Sequence, residues 1–373
     1  MRKELLSIEK QTISHFQIGL LFYVFMTGSS IINVPGALIG KAGNGAWISL
    51  LVSGTAGFCI LSMLLHLHRR FPGLSYVEYS RKLIGNTLTV LLSIITLSFL
   101  FQMQAAIVLD VGIFMISSMM RETPMYAFTL SIFLIAALTA RAGIEIMIRM
   151  FTIIVFSTAF LLAAIYVLAI PDYHVSFLLP VLPKGIKPVL SGAYFTFGFP
   201  YSEVFLFGML LPFVIKGPVK KLSKTMMLSF VMNVVVLCIT TVCVIMVFGA
   251  HAADRPYALF AMARIVEFLE IIERIESVIG MSLILGSYMK ATITLYVLSL
   301  FISQVFKLKS NKAIILPLAL FGSLMGLVNY DGATQWINMV TVIHPVWAGL
   351  AFVMPLSLLT VVSLFRKKIK QDP

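Results

Sequence analysis

Three ionisable residues stand inside long apolar stretches of this 373-residue chain: Asp110, Glu203 and Lys290. Lys290 lies near the centre of an otherwise uncharged run from Ser277 to Gln304. An ammonium at that depth of a bilayer is costly, and its stem is too short to reach either interface. It must face a partner or a cavity, and Glu203 and Asp110 are the candidate partners. Glu203 directly follows a helix-breaking segment, where a carboxylate could take a substrate amine, a proton or an internal cation. A structural salt bridge to span eight or span three accounts for the same residue, because a buried charge needs pairing in any case. Asp110 falls towards the outer end of its span, where a water-filled vestibule would also satisfy it.

Two segments must position these groups. The first, Gly28 to Gly36, contains Gly28, Ser29, Ser30, Ile31, Asn33 and Pro35; the second runs from Gly192 through Pro200 and Ser202 to Glu203. Both place helix-weakening residues in the middle of apolar runs. Irregular backbone is tolerated there only where protein or water satisfies it, so both breaks are expected to line a buried cavity. Breaks five spans apart predict a five-plus-five inverted repeat whose half-helices converge on a site near the midplane. Exposed amides near Ser29 to Ile31 could bind a carboxylate or a sugar hydroxyl. Tyr194, Phe195, Phe197, Phe199 and Tyr201 crowd the second break, with Phe197 and Tyr201 as pocket candidates, although core packing explains such rings as well.

The surrounding chain is 60% hydrophobic and 12% charged, with a mean hydropathy of +1.00. Apolar runs repeatedly reach the ~20 residues a spanning helix needs. Ten spans are expected, near residues 15–38, 45–66, 87–117, 125–140, 150–170, 190–214, 225–249, 276–306, 313–330 and 343–364. They form one all-α membrane domain over 1–373, with a first repeat at 12–170 and a second at 190–365. The net charge of +13 does not imply a nucleic-acid partner, because most of the 28 Lys and Arg residues collect in alternate short loops. Arg69, Arg70, Arg81 and Lys82 follow span two, Arg141 and Arg149 separate spans four and five, and Lys307, Lys309 and Lys312 follow span eight. That asymmetry puts both termini in the cytoplasm, which requires an even number of spans. The first span lacks a small-residue cleavage pattern and is expected to be retained.

Enzyme chemistry finds little footing. No metal-ligand spacing, phosphate-binding glycine loop or nucleophile elbow appears in a credible context, and no cofactor is expected. The 6 histidines are dispersed near predicted loop edges, where interfacial anchoring suits them. Cys59, Cys238 and Cys243 lie within spans and read as small apolar residues. Gln102 and Gln104 diverge by about 200° on a helix, so they cannot share one narrow face. Ser75 to Gly85 suits an interfacial helix or a plain loop. Pro256 to Glu276 reads as an amphipathic helix carrying Glu267, Glu270, Glu273 and Glu276.

Gly28-Ser29-Ser30-Ile31 followed by Pro35 resembles the broken first helix of the amino acid/polyamine/organocation transporter superfamily, whose members share the LeuT-type fold. Three segments resemble the B subunit of GerA-type spore germinant receptors: Ala140 to Glu145 (ARAGIE), Leu179 to Gly185 (LPVLPKG) and Phe268 to Glu276 (FLEIIERIE). Where that family commonly carries a Gly-Glu pair in span six, this chain has Ser202-Glu203. The resemblance implies a nutrient sensor of the spore inner membrane, binding an amino acid or a sugar between spans one, three, six and eight. It also implies an A subunit with cytoplasmic domains and a lipoprotein C subunit as partners. In such a fold Lys290 could stand where other members bind sodium between spans one and eight. A proton-coupled amino acid transporter working through Glu203 is the main alternative, and a structural subunit without ligand is another.

Overall fold

The computed structural model describes residues 11–215, 219–265, 276–329 and 333–366. Among these residues the only extended pairing is an isolated bridge between Ile13 and Val214. Everything else is helix and connection, as a chain must be when lipid offers its backbone no hydrogen bonds.

Span one is made of α1 (His15–Thr27) and α2 (Ser30–Ala42), and α3 (Ala46–Arg70), α4 (Tyr76–Phe114), α5 (Met125–Ala142) and α6 (Ile144–Leu168) complete the first five crossings. Span six opens with α7 (Lys187–Gly198) and continues as 3-10 helix over Tyr201–Met209 and Leu211–Phe213. Then come α8 (Val219–Phe248), a short α9 (Ala258–Ala263) outside the spans, α10 (Glu276–Val305) and α11 (Lys312–Val328). The tenth crossing joins α12 (Ala333–Asn338), α13 (His344–Ala348) and α14 (Met354–Phe365) through two π-helical turns. Among the described residues, seven helical stretches are long and apolar enough to cross a membrane, one of them running α2 into α3. The shorter pieces and the broken sixth span supply the remaining crossings. The result is a ten-span, all-α membrane protein of the five-plus-five kind, with helices one and six interrupted.

Local sequence sets the helix starts. Ser14 and Gln17 form a capping box before α1, and Ser75 and Glu78 form another before α4. Gly85, at φ +81°, separates Tyr76–Ile84 from the membrane part of α4. That left-handed conformation favours glycine, and it resolves Ser75 to Gly85 as an interfacial helix whose Tyr76 packs edge-on against Phe205 with ring centres 4.5 Å apart. Gly143, at φ +97°, starts α6 at Ile144, earlier than expected. Glu145 and Arg149 read as loop in the sequence, yet Glu145 accepts the Thr12 amide at 2.9 Å and so ties the entry of span one to this corner. Span ten likewise starts at Ala333 rather than near 343. Gln335 and Asn338 lower the hydropathy there, but Trp336 anchors the segment by donating to the Ala106 carbonyl at 3.3 Å.

Ile13 and Arg366, near the two limits of the described residues, lie at one end of the bundle. Ile13 meets Phe213 and Ile215 by backbone hydrogen bonds, and the Arg366 guanidinium donates to the Lys82 carbonyl at 2.9 Å. Arg81 donates to the Val305 carbonyl at the same end, at 2.8 Å. The opposite end is closed by Asn44 donating to the Pro180 carbonyl at 3.1 Å and by the His174 amide donating to Met246 at 2.9 Å. Of the segment from Pro256 to Glu276 expected as a helix, α9 covers Ala258–Ala263 and Glu276 opens α10, while Glu267, Glu270 and Glu273 lie outside the described residues. Ile153, Phe156, Phe160 and Val167 of α6 are exposed and form a lipid-facing surface, whereas α10 is buried almost all round. The fold therefore points Lys290 inward.

Candidate functional site

The two breaks differ in kind. Only Gly28 and Ser29 separate α1 from α2, both keep right-handed helical angles, and the Gly28 amide still donates to the Val24 carbonyl at 2.8 Å. The expectation of exposed amides along Ser29 to Ile31 therefore narrows to a kink. Pro35 adds to it, since a ring without an N–H leaves the carbonyl four residues back without its helical donor. Glycine is needed at Gly28 for another reason: a Cβ there would stand 2.7 Å from the Gly286 carbonyl oxygen of α10.

Span six is a full interruption. After Gly198 the backbone turns extended at Phe199, the Phe199-Pro200 peptide is cis, and Tyr201–Met209 follows as 3-10 helix. A nine-residue 3-10 run is long for that geometry, which is usually confined to three or four residues. The α7 half is pinned by Ser49 donating to the Val189 carbonyl at 2.8 Å and by the Ser53 and Thr196 hydroxyls at 2.6 Å.

These breaks bring the charges together. Lys290 Nζ lies 2.6 Å from Glu203 Oε2, with side chains 0% and 1% exposed. This is an ion pair by distance, although the atoms lie off the line of a hydrogen bond. The same ammonium sits over the Phe199 ring at 4.2 Å and the Phe25 ring at 5.2 Å, and cation–π attraction offsets part of its desolvation. His344 Nε2 stands 3.6 Å from the other oxygen of Glu203, and its ring packs edge-on to Phe99 with centres 4.7 Å apart. Lys290 thus pairs with Glu203 and not with Asp110. The Asp110 carboxylate, also buried, accepts from the Asn33 amide and from the Tyr257 hydroxyl at 3.5 Å; no vestibule water is required to explain its burial.

A cavity of about 30 Å³ lies among Ser29, Asn33, Asp110, Phe199, Glu203, Trp336 and His344. That is room for a water or a group of similar size. Beside it, a vestibule of about 260 Å³ shares Asn33, Phe199, Trp336 and Val340 with the central cavity and is also bordered by Phe195, Tyr257 and Thr341. The fourth wall of the site is span ten, through Trp336, Val340 and His344, where span eight was expected; Lys290 of span eight acts from behind, on Glu203.

Of the residues singled out in the sequence, Ser29, Asp110 and Glu203 meet at this cavity. Gly28 and Ile31 instead face a separate apolar cavity of about 210 Å³ between spans one, five, seven and eight. Ser30 is fully buried, and its hydroxyl has no partner among the described residues. Phe197 lies beside Gly349 of span ten, and Tyr201 is buried against Phe230 with ring centres 5.5 Å apart; neither lines the cavity. The Tyr201 hydroxyl has no partner among the described residues. Tyr201→Phe is therefore expected to leave ligand response intact and to raise thermal stability slightly, since an unsatisfied buried hydroxyl costs about 1–3 kcal/mol; a fall in melting temperature would contradict this placement.

His344 corrects the reading of the histidines as interfacial anchors, being 4% exposed in the middle of the bundle. Its signal was its place before Pro345 inside an apolar run, the same breaker chemistry that marked the other two breaks. Gln102 and Gln104 do part company: Gln102 accepts from Asn329 of span nine at 3.3 Å, while the Gln104 amide is buried without a partner among the described residues.

A kinked first helix, an interrupted sixth and a cavity lined by buried charged residues between them define a membrane protein of the LeuT-type transporter fold. Solved structures agree. A Na+-coupled sialic acid symporter superposes with a TM-score of 0.67 at 12% identity, covering 92% of this chain and 79% of that one. The Eremococcus coleocola manganese transporter gives 0.63 at 14%, covering 92% and 78%, and the nucleobase-cation-symport-1 family transporter MHP1 gives 0.60 at 11%, covering 90% and 78%. A family model described as "Spore germination protein" matches residues 12–328, and the chain belongs to that family. It is 25% identical to Spore germination protein KB of Bacillus subtilis (strain 168) over 372 residues, 98% of each chain. It is also 25% identical to Spore germination protein YndE of the same organism over 304 residues, 80% of this chain and 82% of that one.

Proposed function

We propose that this chain is the nutrient-sensing B subunit of a spore germinant receptor, binding a small nutrient in the central cavity and passing the event to partner subunits. The observation that carries this reading is the small cavity at the meeting of the two broken spans, walled by buried Asp110, Glu203 and His344 and sharing lining residues with a larger vestibule. Transporter folds use that position for substrate. Here 12–170 and 190–365 act as the two repeats, and ligand binding shifts their relative populations. An A subunit and a lipoprotein C subunit receive the change in the spore inner membrane, with both termini of this chain in the cytoplasm.

A second reading has its own support. The Glu203 carboxylate is shared between Lys290 at 2.6 Å and His344 at 3.6 Å, an arrangement able to hold and release a proton, as a proton-coupled amino acid transporter requires. Purified protein in proteoliposomes separates the two. The sensor reading expects saturable binding of nutrient without accumulation in the lumen, under an imposed pH gradient of either sign. Accumulation that collapses when the gradient is dissipated would favour the transporter.

A further inference from the structure

We infer that the apolar cavity between spans one, five, seven and eight is a lipid site, and that it takes up one acyl chain of a membrane lipid. The inference stands apart from whatever the central cavity binds.

The first ground is the chemistry of the walls. The cavity measures about 210 Å³ and is lined largely by apolar groups, among them Val24, Ile31, Val155, Leu162, Val236 and Met289. Three of the hydroxyls on its walls are already engaged with the protein. Tyr166 meets the Thr240 hydroxyl at 2.7 Å, Thr158 donates to the Val155 carbonyl at 3.2 Å, and Thr27 accepts from the Asn233 amide at 2.9 Å. An ordered water needs about two to four polar partners, and these walls have few to offer it. An empty space is destabilising in proportion to its volume. Hydrocarbon fills it without a polar penalty, and apolar cavities of about 150 Å³ already accept a benzene-sized molecule.

The second ground is access. Phe156 and Phe160 stand out from the lipid-facing surface of α6. Ala159 and Ala163 of the same helix are exposed and also line the cavity. Residues four apart share a helix face, so the two alanines form one low gap in a surface that is otherwise bulky. That gap is a mouth on the hydrocarbon. Acyl chains are the solvent there, and mass action favours them as occupant over any apolar solute dissolved among them.

The third ground is position. Gly28 lines this cavity and Ser29 lines the central one, so neighbouring residues of the kink in span one border different spaces. Gly286, which packs on Gly28, borders the same apolar cavity. A chain lodged there backs the contact between spans one and eight, and span one cannot swing into that space until the chain leaves.

Photolabelling of the full-length protein, in nanodiscs of phosphatidylglycerol and phosphatidylethanolamine, tests this. The probe is a phosphatidylglycerol with a diazirine near the end of one acyl chain, and labelled residues are mapped by peptide mass spectrometry. Val24 and Met289 are buried and line the cavity. Both are expected to be labelled along with exposed Phe160, which reports ordinary lipid contact. In the double variant Ala159→Phe with Ala163→Phe, which narrows the mouth, the labels on Val24 and Met289 are expected to fall to background while the Phe160 label persists. Labels confined to exposed residues of the native chain would overturn the inference, and that comparison needs no variant. Labels on Val24 and Met289 that survive in the double variant would also overturn it, because the chain would then not enter at this mouth. Labelling of the two buried residues by the small trifluoromethylphenyl diazirine, but not by the lipid, would put a small apolar solute in the cavity and count against an acyl chain.

Discussion

Lys290→Met is expected to remove most of the protein from the membrane. The substitution keeps the volume of the side chain and deletes its charge, so Glu203 remains at 1% exposure without the ammonium that lay 2.6 Å from it. Breaking a buried pair by removing one partner costs about 3–5 kcal/mol, because the other charge is left uncompensated. That is a large share of a total stability of about 5–15 kcal/mol. The double substitution Lys290→Met with Glu203→Gln removes both charges together and is expected to recover much of the loss, since replacing a whole buried pair is often neutral. Melting temperature and abundance of the single and double variants, measured together, check this. A stable Lys290→Met, or a double variant no better than the single, would contradict the pairing. A double variant that is abundant but unresponsive to nutrient would assign the pair a part in signalling as well as in folding.

Gly286→Ala is expected to be strongly damaging for the addition of a single methyl group. A Cβ on Gly286 would stand 2.5 Å from the Gly28 carbonyl oxygen and 2.7 Å from its carbon. Both atoms are backbone, so no side chain can swing away. The kink of span one and the face of α10 must separate, and overpacking of this kind typically costs about 1–3 kcal/mol. The separation also moves Ser29, the next residue along, away from the central cavity it lines. Gly40→Ala is the control: its Cβ meets nothing nearer than the Ala253 carbonyl at 3.8 Å, and alanine favours helix over glycine by about 1 kcal/mol. Normal abundance and nutrient response of Gly286→Ala would refute the close packing of spans one and eight.

The spans, the even crossing number and the two breaks were legible because each rests on a local signal: hydropathy over about 20 residues, basic loops, and Gly or Pro where helix should continue. The charged trio was legible for the same reason, as ionisable residues out of place in apolar runs. Their pairing was not, since Glu203 and Lys290 are joined only by the packing of span six on span eight. Phe197, before the break in α7, packs beside Gly349 of span ten, whereas Tyr201 lies beyond the break in another helical geometry. A residue advances about 120° in a 3-10 helix instead of 100°, so a helical wheel carried across Phe199 and Pro200 loses the face. Tyr201 ends against Phe230 and Gly57 as a consequence. Span ten was placed late because polar Gln335 and Asn338 hid α12, and with it Trp336 and the true fourth wall of the cavity.

The central claim is that nutrient in this cavity triggers germination, and dipicolinic acid release tests it most directly. Spores lacking only this gene, and the same spores carrying the native chain or Asp110→Asn, are challenged with single amino acids, sugars and their mixtures. The expected result is loss of response to one nutrient class, restored by the native chain and not by Asp110→Asn at equal abundance. Release that is unchanged across the whole panel in the absence of the gene would contradict the receptor reading.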